Sequence, residues 1–252
     1  MDANPDFVLS LSRGLQVIEA FHGEREGLTV SAAADRTGLS RAAVRRLLIT
    51  LELLGYAEKS GASFHLTGRV LRLGFSFATS NSLGGLAPPV LEQLSARIHE
   101  SCSISILDED QIAYVARSAP RRVMTIDLGV GSRLPAWCTS MGRVLLAALP
   151  PGDLERRLMA ATLTAHTPKT VTSRRLLRKV LREVRSRGYA LVDEELELGL
   201  RSIAVPVVSR SGRVVAAMNS GVSAARLSCS AMRERILPGL QEHARLLGQL
   251  LA

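Results

Sequence analysis

The sequence of 252 residues lacks the features that define several large classes of protein. It has no run of eighteen apolar residues, so we expect no membrane-spanning helix and no membrane partner. Its first residues include Asp2 and Asp6 and lack the basic segment that opens a secretory signal. Cys102, Cys138 and Cys229 fit neither a disulfide framework nor a zinc motif. These absences predict a cytoplasmic protein with reduced thiols and no bound metal.

Catalytic signatures are missing as well. Residues 129–131 read Gly-Val-Gly but lack the third glycine of a dinucleotide-binding fingerprint. Residues 221–223 read Gly-Val-Ser, and no glycine follows where a nucleophile elbow needs one. The five histidines are scattered along the chain. We therefore expect no cofactor and no enzymatic activity.

Lysine is scarce, and arginine supplies nearly all of the positive charge behind the net charge of +9. Arginine is the better planar partner of phosphate and guanine, but a GC-rich genome produces the same bias. Residues 1–80 have a net charge of +1, whereas residues 81–252 have a net charge of +8. Net charge alone therefore does not identify the part that binds nucleic acid.

A helix-turn-helix is the clearest pattern in the first third of the chain. The spacing of apolar residues predicts a first helix over residues 10–21. Ser31 is predicted to cap a short helix over residues 32–36, and Gly38 permits a tight turn after it. Two short helices joined by such a turn form a helix-turn-helix.

The second helix of this motif is predicted to start after its cap, Ser40, and to end at Gly55. Residues 56–67 then predict a short hairpin, the wing of a winged helix, with Lys59 in its polar tip. The buried stripe of the second helix comprises Val44, Leu47, Leu48, Leu51 and Leu54.

The start of the second helix is the candidate DNA reader, because this half of a recognition helix enters the major groove. Arginine pairs with guanine, alanine packs on a thymine methyl, and a helix start holds a phosphate. The alternative is an ordinary solvated basic face. The predicted DNA contacts are Ser40, Arg41, Ala42, Arg45, Arg46 and Lys59.

Beyond the winged helix, strands and helices alternate, which predicts an α+β domain with an antiparallel sheet flanked by helices. Gly84-Gly85 and Pro88-Pro89 are predicted to break the chain near a domain boundary at residues 80–88. The predicted strands cover residues 103–107, 111–117, 122–128, 189–195, 202–208 and 214–222. The predicted helices cover residues 90–100, 139–149, 153–161, 173–187 and 231–252.

Three segments of this second domain carry further candidate chemistry. The helix start at residues 139–142 favours an anion such as a carboxylate, although it is also simply a capped helix start. The acidic cluster at residues 193–197 is either a set of metal ligands or general acids, or a solvated loop. The arginine-rich helix at residues 174–187 is either a solvated surface or a second DNA contact.

Four segments resemble the IclR family of bacterial transcriptional regulators: SLSRGLQVIEAF, LTVSAAADRTGLSRAAVRRLLITLELLGY, RLPAWCTSMGRVLLAAL and GYALVDEELELGLRSIAVPV. The resemblance spans nearly the whole chain. The last two segments are most similar to the branch with PcaR, PcaU and PobR, which regulate protocatechuate, 4-hydroxybenzoate and β-ketoadipate catabolism.

The resemblance implies a winged helix-turn-helix in residues 1–67, a linker helix in residues 68–87 and a GAF-like effector domain in residues 88–252. It implies assembly into homodimers or homotetramers. It also implies an effector carboxylate near Ser140 and Met141. The further pocket residues that it implies are Val123, Ile126, Asp193, Ser202 and Asn219. Some relatives have Cys at the position of Ser202, and Trp137 is a candidate for an additional apolar wall.

We therefore expect a ligand-responsive regulator that binds operator DNA and a small carboxylate, with aromatic-acid catabolic genes as its targets. The alternatives are an IclR-type regulator of a different small carboxylate, an enzyme fused to a DNA-binding module, and a DNA-binding protein without a ligand.

Overall fold

The computed structural model describes residues 6–24, 26–73, 82–118 and 128–251. These residues belong to two units, one within residues 1–80 and the other within residues 81–252. Val123, Ile126 and most of the strand predicted at residues 122–128 lie outside the described residues.

The first unit is a winged helix-turn-helix. Its three-stranded antiparallel sheet has the order β1-β3-β2. Its core is formed by apolar side chains of its helices and of the sheet, among them Val17, Val44, Leu48 and Phe64. Its elements are α1 (Leu9–Glu19), β1 (Leu28–Thr29), α2 (Val30–Thr37), α3 (Arg41–Leu53), β2 (Ala57–Ser60), β3 (Ser63–Leu66) and a 3-10 turn (Gly68–Val70).

Side-chain caps fix the turn between α2 and α3. Gly38 ends α2 with φ of 68°, a conformation that favours glycine. The hydroxyl of Ser40 accepts a hydrogen bond from the amide of Ala43 at 3.3 Å, as the sequence predicts. The predicted cap Ser31 is wrong. Thr29 caps α2 instead, because its hydroxyl accepts from the amide of Ala32 at 3.2 Å.

The second unit is an α+β domain, which confirms the predicted class. Its six-stranded sheet has the order β6-β5-β4-β9-β8-β7, and all neighbouring strands are antiparallel. Its strands are β4 (Ser101–Asp108), β5 (Gln111–Ser118), β6 (Arg133–Pro135), β7 (Ala190–Asp193), β8 (Leu200–Val208) and β9 (Val214–Ser223). Its helices are α4 (Ser82–Ile98), α5 (Ser140–Ala148), α6 (Pro151–Ala160), α7 (Arg174–Arg187), α8 (Cys229–Arg235) and α9 (Leu237–Leu250).

Each face of this sheet packs against its own layer of helices. Side chains of α4 and α9 form a core with one face, where Met218 of β9 is buried. Side chains of α5 and α7 form a core with the other face, where Ala217 is buried. Because side chains alternate along a strand, Asn219 lies on the same face as Ala217, beneath α5.

Two predicted helix boundaries are wrong, and proline is involved in both. Helix α4 continues through Pro88 and Pro89. Gly84 and Gly85 lie four residues before these prolines, where the ring would clash with the backbone, and glycine lets the backbone adjust. The helix predicted over residues 231–252 is two helices, because Pro238 has no amide hydrogen to continue α8 and instead fits the first turn of α9.

Among the residues that the structure describes, no helix combines the length and the apolar character needed to cross a bilayer.

Gly142 is predicted to be indispensable for the packing of α5. A Cβ atom at this position would lie 2.1 Å from the carbonyl oxygen of Ala136, a backbone atom that cannot rotate away. Gly142→Ala should therefore lower the free energy of unfolding by about 3 kcal/mol, measured by urea denaturation. Gly152→Ala is the control, because the space around Gly152 in α6 is open and alanine is the better helix former. Equal midpoints for Gly142→Ala and the wild type would contradict the prediction.

Candidate functional site

The exposed side of α3 carries most of the residues predicted to contact DNA. Val44, Leu48 and Leu51 are buried against the core of the first unit. Leu54, predicted to be part of the same buried stripe, is 53% exposed because the helix ends at Leu53. The six predicted contacts are all exposed: Ser40, Arg41, Ala42, Arg45 and Arg46 at the start of α3, and Lys59 in the β2–β3 hairpin. The structure thus gathers five of them at one helix end, where a phosphate is also favoured.

The arginines of α3 differ in pairing from their neighbour in α2. In the part of the chain that the structure describes, Arg41, Arg45 and Arg46 form no ion pair. Arg36 of α2, in contrast, pairs with Glu24 and donates a hydrogen bond to the carbonyl of Ala20 at 2.7 Å. The charges on α3 are therefore available to an anionic partner.

A small cavity of about 40 Å³ lies in the second unit between the start of α5, the loop at residues 194–199 and the sheet. Four of the predicted effector-binding residues line it: Ser140, Met141, Ser202 and Asn219. Its other walls include Tyr114, Cys138, Leu196 and Leu200. Ser140 and Asn219, which are 79 positions apart in the sequence, thus lie in the wall of the same cavity.

Polar groups without partners face this cavity. Ser140 is 1% exposed and Asn219 is 9% exposed. Within the described residues, the hydroxyl oxygen of Ser140 and the amide oxygen of Asn219 have no hydrogen-bond partner. An unpaired buried polar atom costs about 1–3 kcal/mol, so native proteins rarely keep one without a ligand or an ordered water.

The start of α5 adds backbone amides to the same wall. The hydroxyl of Thr139 accepts from the amide of Gly142 at 3.2 Å, and the first helical hydrogen bond runs from Arg143 to the carbonyl of Thr139 at 3.0 Å. Neither bond uses the amides of Ser140 and Met141. Together with the helix dipole, these amides favour a negative charge.

Asp193 lies outside the cavity. Val192 of β7 lines it, and the next side chain on a strand points to the opposite face. The carboxylate of Asp193 instead accepts a hydrogen bond from Nε of Arg201 at 2.5 Å. Trp137 is also absent from the lining: it is buried in the core beside α5, and its indole nitrogen has no partner among the described residues.

A buried ion pair joins two segments that line the cavity, since Arg143 follows Ser140 and Met141 on α5 and Glu195 precedes Leu196. Both terminal nitrogens of the Arg143 guanidinium donate to the carboxylate of Glu195, each at 2.6 Å. Nε of Arg143 donates to the carbonyl of Trp137 at 2.8 Å. Glu195 also accepts from the amide of Val171 at 2.9 Å. The pair therefore holds the start of α5 against the loop at residues 194–199.

The thiol in the cavity wall is neutral. Burial raises the pKa of Cys138 to about 12, Arg143 lowers this pKa, and Glu195 raises it. The thiol stays protonated at neutral pH, so it presents a weakly polar surface to a ligand and is a poor nucleophile.

The acidic cluster is engaged in ion pairs. Asp193 pairs with Arg201, Glu194 with Lys169, and Glu195 with Arg143. Within the described residues, no group of three or more His, Cys, Asp or Glu side chains is placed to hold a metal. In the arginine-rich helix α7, Arg174 and Arg185 donate to backbone carbonyls and Arg178 pairs with Glu155.

A larger cleft of about 730 Å³ lies at the opposite end of α5. Its walls are mostly apolar and include Ala148 and Val214, with Arg185 and Arg213 at the rim. Arg185 is already bound to the carbonyls of Ala147 and Leu149, at 2.5 Å each. Size alone would favour this cleft as a ligand site, whereas the unpaired polar atoms favour the small cavity.

Comparison with known protein families decides the identity of this two-unit chain. Residues 10–61 match the IclR helix-turn-helix domain, and residues 76–248 match the family described as bacterial transcriptional regulator IclR C-terminal. The chain belongs to the IclR family of bacterial transcriptional regulators.

Relatives within the IclR family confirm the resemblance to the branch with PcaR, PcaU and PobR. The Pca regulon regulatory protein of Pseudomonas putida is 44% identical over 243 residues, which are 96% of this chain and 84% of the relative. The p-hydroxybenzoate hydroxylase transcriptional activator of Acinetobacter baylyi is 38% identical over 250 residues, 97% of this chain and 92% of the relative.

A solved IclR homolog from Microbacterium hydrocarbonoxydans, crystallised with 4-hydroxybenzoate, has the same fold. It superimposes with a TM-score of 0.82 at 26% sequence identity and covers 95% of this chain and 97% of its own. The IclR fold predicted for both units is confirmed.

Arg143 and Glu195, which form the buried ion pair of this IclR-family site, are not among the effector-binding residues predicted from the sequence. Arg143 is the only charged residue in the apolar helix α5, and Glu195 lies in an acidic cluster 52 positions away. A lone arginine in an apolar helix signals a buried partner, because a buried charge must be paired. Nothing in the sequence shows which carboxylate is that partner.

Proposed function

We propose that this protein is an effector-controlled regulator of genes for the catabolism of aromatic acids, and that a small carboxylate controls its binding to operator DNA. The proposal is carried by the hydroxyl of Ser140 and the amide oxygen of Asn219 beside the start of α5, which have no partner among the described residues. The names of its relatives, which refer to the pca genes and to p-hydroxybenzoate hydroxylase, support the class of target gene.

In this proposal, residues 1–67 bind DNA, residues 68–87 link the domains, and residues 88–252 bind the effector and assemble the oligomer. Ser140 and Met141 receive the effector carboxylate, and Ser202 and Asn219 bond its far end. A cavity of about 40 Å³ holds about three waters, so an aromatic acid requires its walls to separate. The ligand thus selects an open state, and this preference is what changes DNA affinity.

Three other functions are distinguished by direct measurement. An enzyme fused to a DNA-binding module would convert protocatechuate, 4-hydroxybenzoate or β-ketoadipate, and chromatography of the incubated acid would reveal the product. A regulator of a different carboxylate would bind none of these acids in calorimetry but would bind another small acid in a wider panel. A protein without a ligand would bind no acid at all.

The arginines of α3 should dominate the affinity for DNA. Each base-reading arginine contributes about 1–3 kcal/mol, so replacing Arg41, Arg45 and Arg46 by alanine should weaken binding at least about a hundredfold. The measurement is fluorescence anisotropy with the DNA that the wild type selects from a random library.

The charge-matched control for this variant is the replacement of Arg175, Lys179 and Arg182 by alanine, since all three are exposed on α7. This control removes the same charge from the chain and should leave DNA affinity within about twofold. A folded α3 variant that binds as tightly as the control would refute the assignment of α3.

The affinity for the effector should fall when the polar groups of the cavity are removed. Ser202→Ala and Asn219→Ala should each weaken effector binding about ten- to a hundredfold, because each removes a hydrogen bond to the ligand. Ser140→Trp should abolish effector binding by filling the cavity. The measurement is calorimetric titration of the acid that the wild type binds, with DNA affinity in the absence of effector measured alongside.

Ala148→Trp is the matched control for Ser140→Trp, because it fills the larger cleft at the other end of α5. It should leave effector affinity unchanged. If instead Ala148→Trp abolished binding and Ser140→Trp did not, the ligand would occupy the larger cleft.

The protein should assemble into at least a dimer, and the first unit should supply an interface in addition to the one in residues 88–252. Leu11, Leu15 and Leu54 are 63%, 48% and 53% exposed and line an apolar groove between α1 and α3. Such a patch marks a protein interface, and one winged helix reads too few base pairs for tight binding. Light scattering should show a dimer or tetramer for the wild type and a smaller species for Leu11→Glu/Leu15→Glu. A wild-type monomer that binds its DNA tightly would contradict this.

A further inference from the structure

Arg143 is a buried cation immediately behind the wall of the effector cavity. It is 2% exposed and lies three positions after Ser140 on α5, so the two side chains are neighbours on the helix. Its Nε atom is 2.8 Å from the carbonyl oxygen of Trp137, the residue before Cys138. Both Ser140 and Cys138 line the cavity.

The counter-charge of Arg143 is held by a different segment. The carboxylate of Glu195 accepts two hydrogen bonds from Arg143 and one from the amide of Val171. The positive end of the pair is thus anchored at Trp137, next to the cavity-lining Cys138, and the negative end is anchored at Val171. An ion pair fixed in this way has a direction, and its field does not cancel nearby.

The pKa of the Cys138 thiol, which lies in the cavity wall, reflects the direction of this field. Burial is the main cause that raises the pKa of Cys138 to about 12, and the lowering by Arg143 exceeds the raising by Glu195. At Cys138 the effect of the positive end of the pair therefore exceeds that of the negative end.

We propose that Arg143 selects anionic effectors through its electric field, without touching them, and that Glu195 sets the strength of that selection. This inference rests on the proposed function, because it concerns the same cavity. Arg143 is then a charge-selecting residue behind the wall, whereas Ser140, Ser202 and Asn219 supply the contacts.

The two halves of the ion pair should have opposite effects on affinity. Glu195→Gln leaves the charge of Arg143 uncompensated, so the effector carboxylate should bind about tenfold more tightly. Arg143→Gln leaves the charge of Glu195 instead, so binding should weaken at least about tenfold. The double variant lacks both charges and should lie between the wild type and Arg143→Gln. A purely structural role predicts that both single variants weaken binding.

The experiment is calorimetry on the full-length protein with three acids and their neutral amides as probes. The pairs are 4-hydroxybenzoate with 4-hydroxybenzamide, protocatechuate with 3,4-dihydroxybenzamide, and β-ketoadipate with its diamide. For the acid that binds, affinities should follow the order Glu195→Gln, wild type, double variant, Arg143→Gln. For the amide, the ratios between these proteins should stay within about threefold, because a neutral ligand does not feel the field.

Each outcome decides a different claim. If the wild type binds none of the acids, both the proposed effector class and this inference fail. If it binds an acid but both single variants weaken acid and amide alike, the inference is overturned and the effector class stands.

Each single variant leaves a buried charge unpaired, and this destabilises the fold. If either single variant does not fold, the wild type and the double variant decide the question, because removing both charges together is far better tolerated. The wild type should then bind the acid several-fold more tightly and the amide equally. Equal affinities for the acid would overturn the inference.

Discussion

The buried pair between Arg143 and Glu195 fixes the segments from which the proposed effector cavity is built. It joins the start of α5 to the loop at residues 194–199, and the amide of Val171 binds the same carboxylate. The hydroxyl of Thr170 reinforces this junction by donating to the carbonyl of Glu195 at 2.6 Å. A buried pair of this kind adds little net stability compared with apolar residues, but losing one partner is strongly destabilising. Its main consequence is therefore a unique position for these segments.

This constraint acts on the cavity through α5, which is buried at nearly every position. Gly142 lets the helix approach the backbone of Ala136 more closely than any Cβ would allow, and Thr139 ties its first turn to the carbonyl of Pro135 at 3.0 Å. The amides of Ser140 and Met141 are thereby held in fixed positions beside the cavity. A helix end that is fixed before the ligand arrives loses little entropy on binding, which is the general advantage of preorganisation.

Local chemistry explains which parts of the fold the sequence predicts. The cap at Ser40 and the turn at Gly38 depend on residues a few positions apart, so their sequence pattern is sufficient. The continuation of α4 through Pro88 depends on the backbone around it, and propensity alone gives the wrong answer. The partner of Arg143 and the position of Asp193 depend on strand register and on contacts between distant segments. The residue pattern of a single segment does not encode such contacts. The resemblance therefore implied Asp193 as a pocket residue, whereas the strand register places its side chain outside the cavity.

The polar lining of the small cavity supplies binding free energy for the proposed response. Among the described residues, the hydroxyl of Ser140 and the amide oxygen of Asn219 have no hydrogen-bond partner, so each is available to a ligand, and such a bond contributes about 0.5–3 kcal/mol. A ligand that bonds both atoms does so only in the state that accommodates it, and therefore favours that state. A preference of about 5.5 kcal/mol is needed to reverse a 99:1 population. Two hydrogen bonds together with one carboxylate at a helix start approach that value, so a few polar groups are enough to produce a large change in DNA affinity.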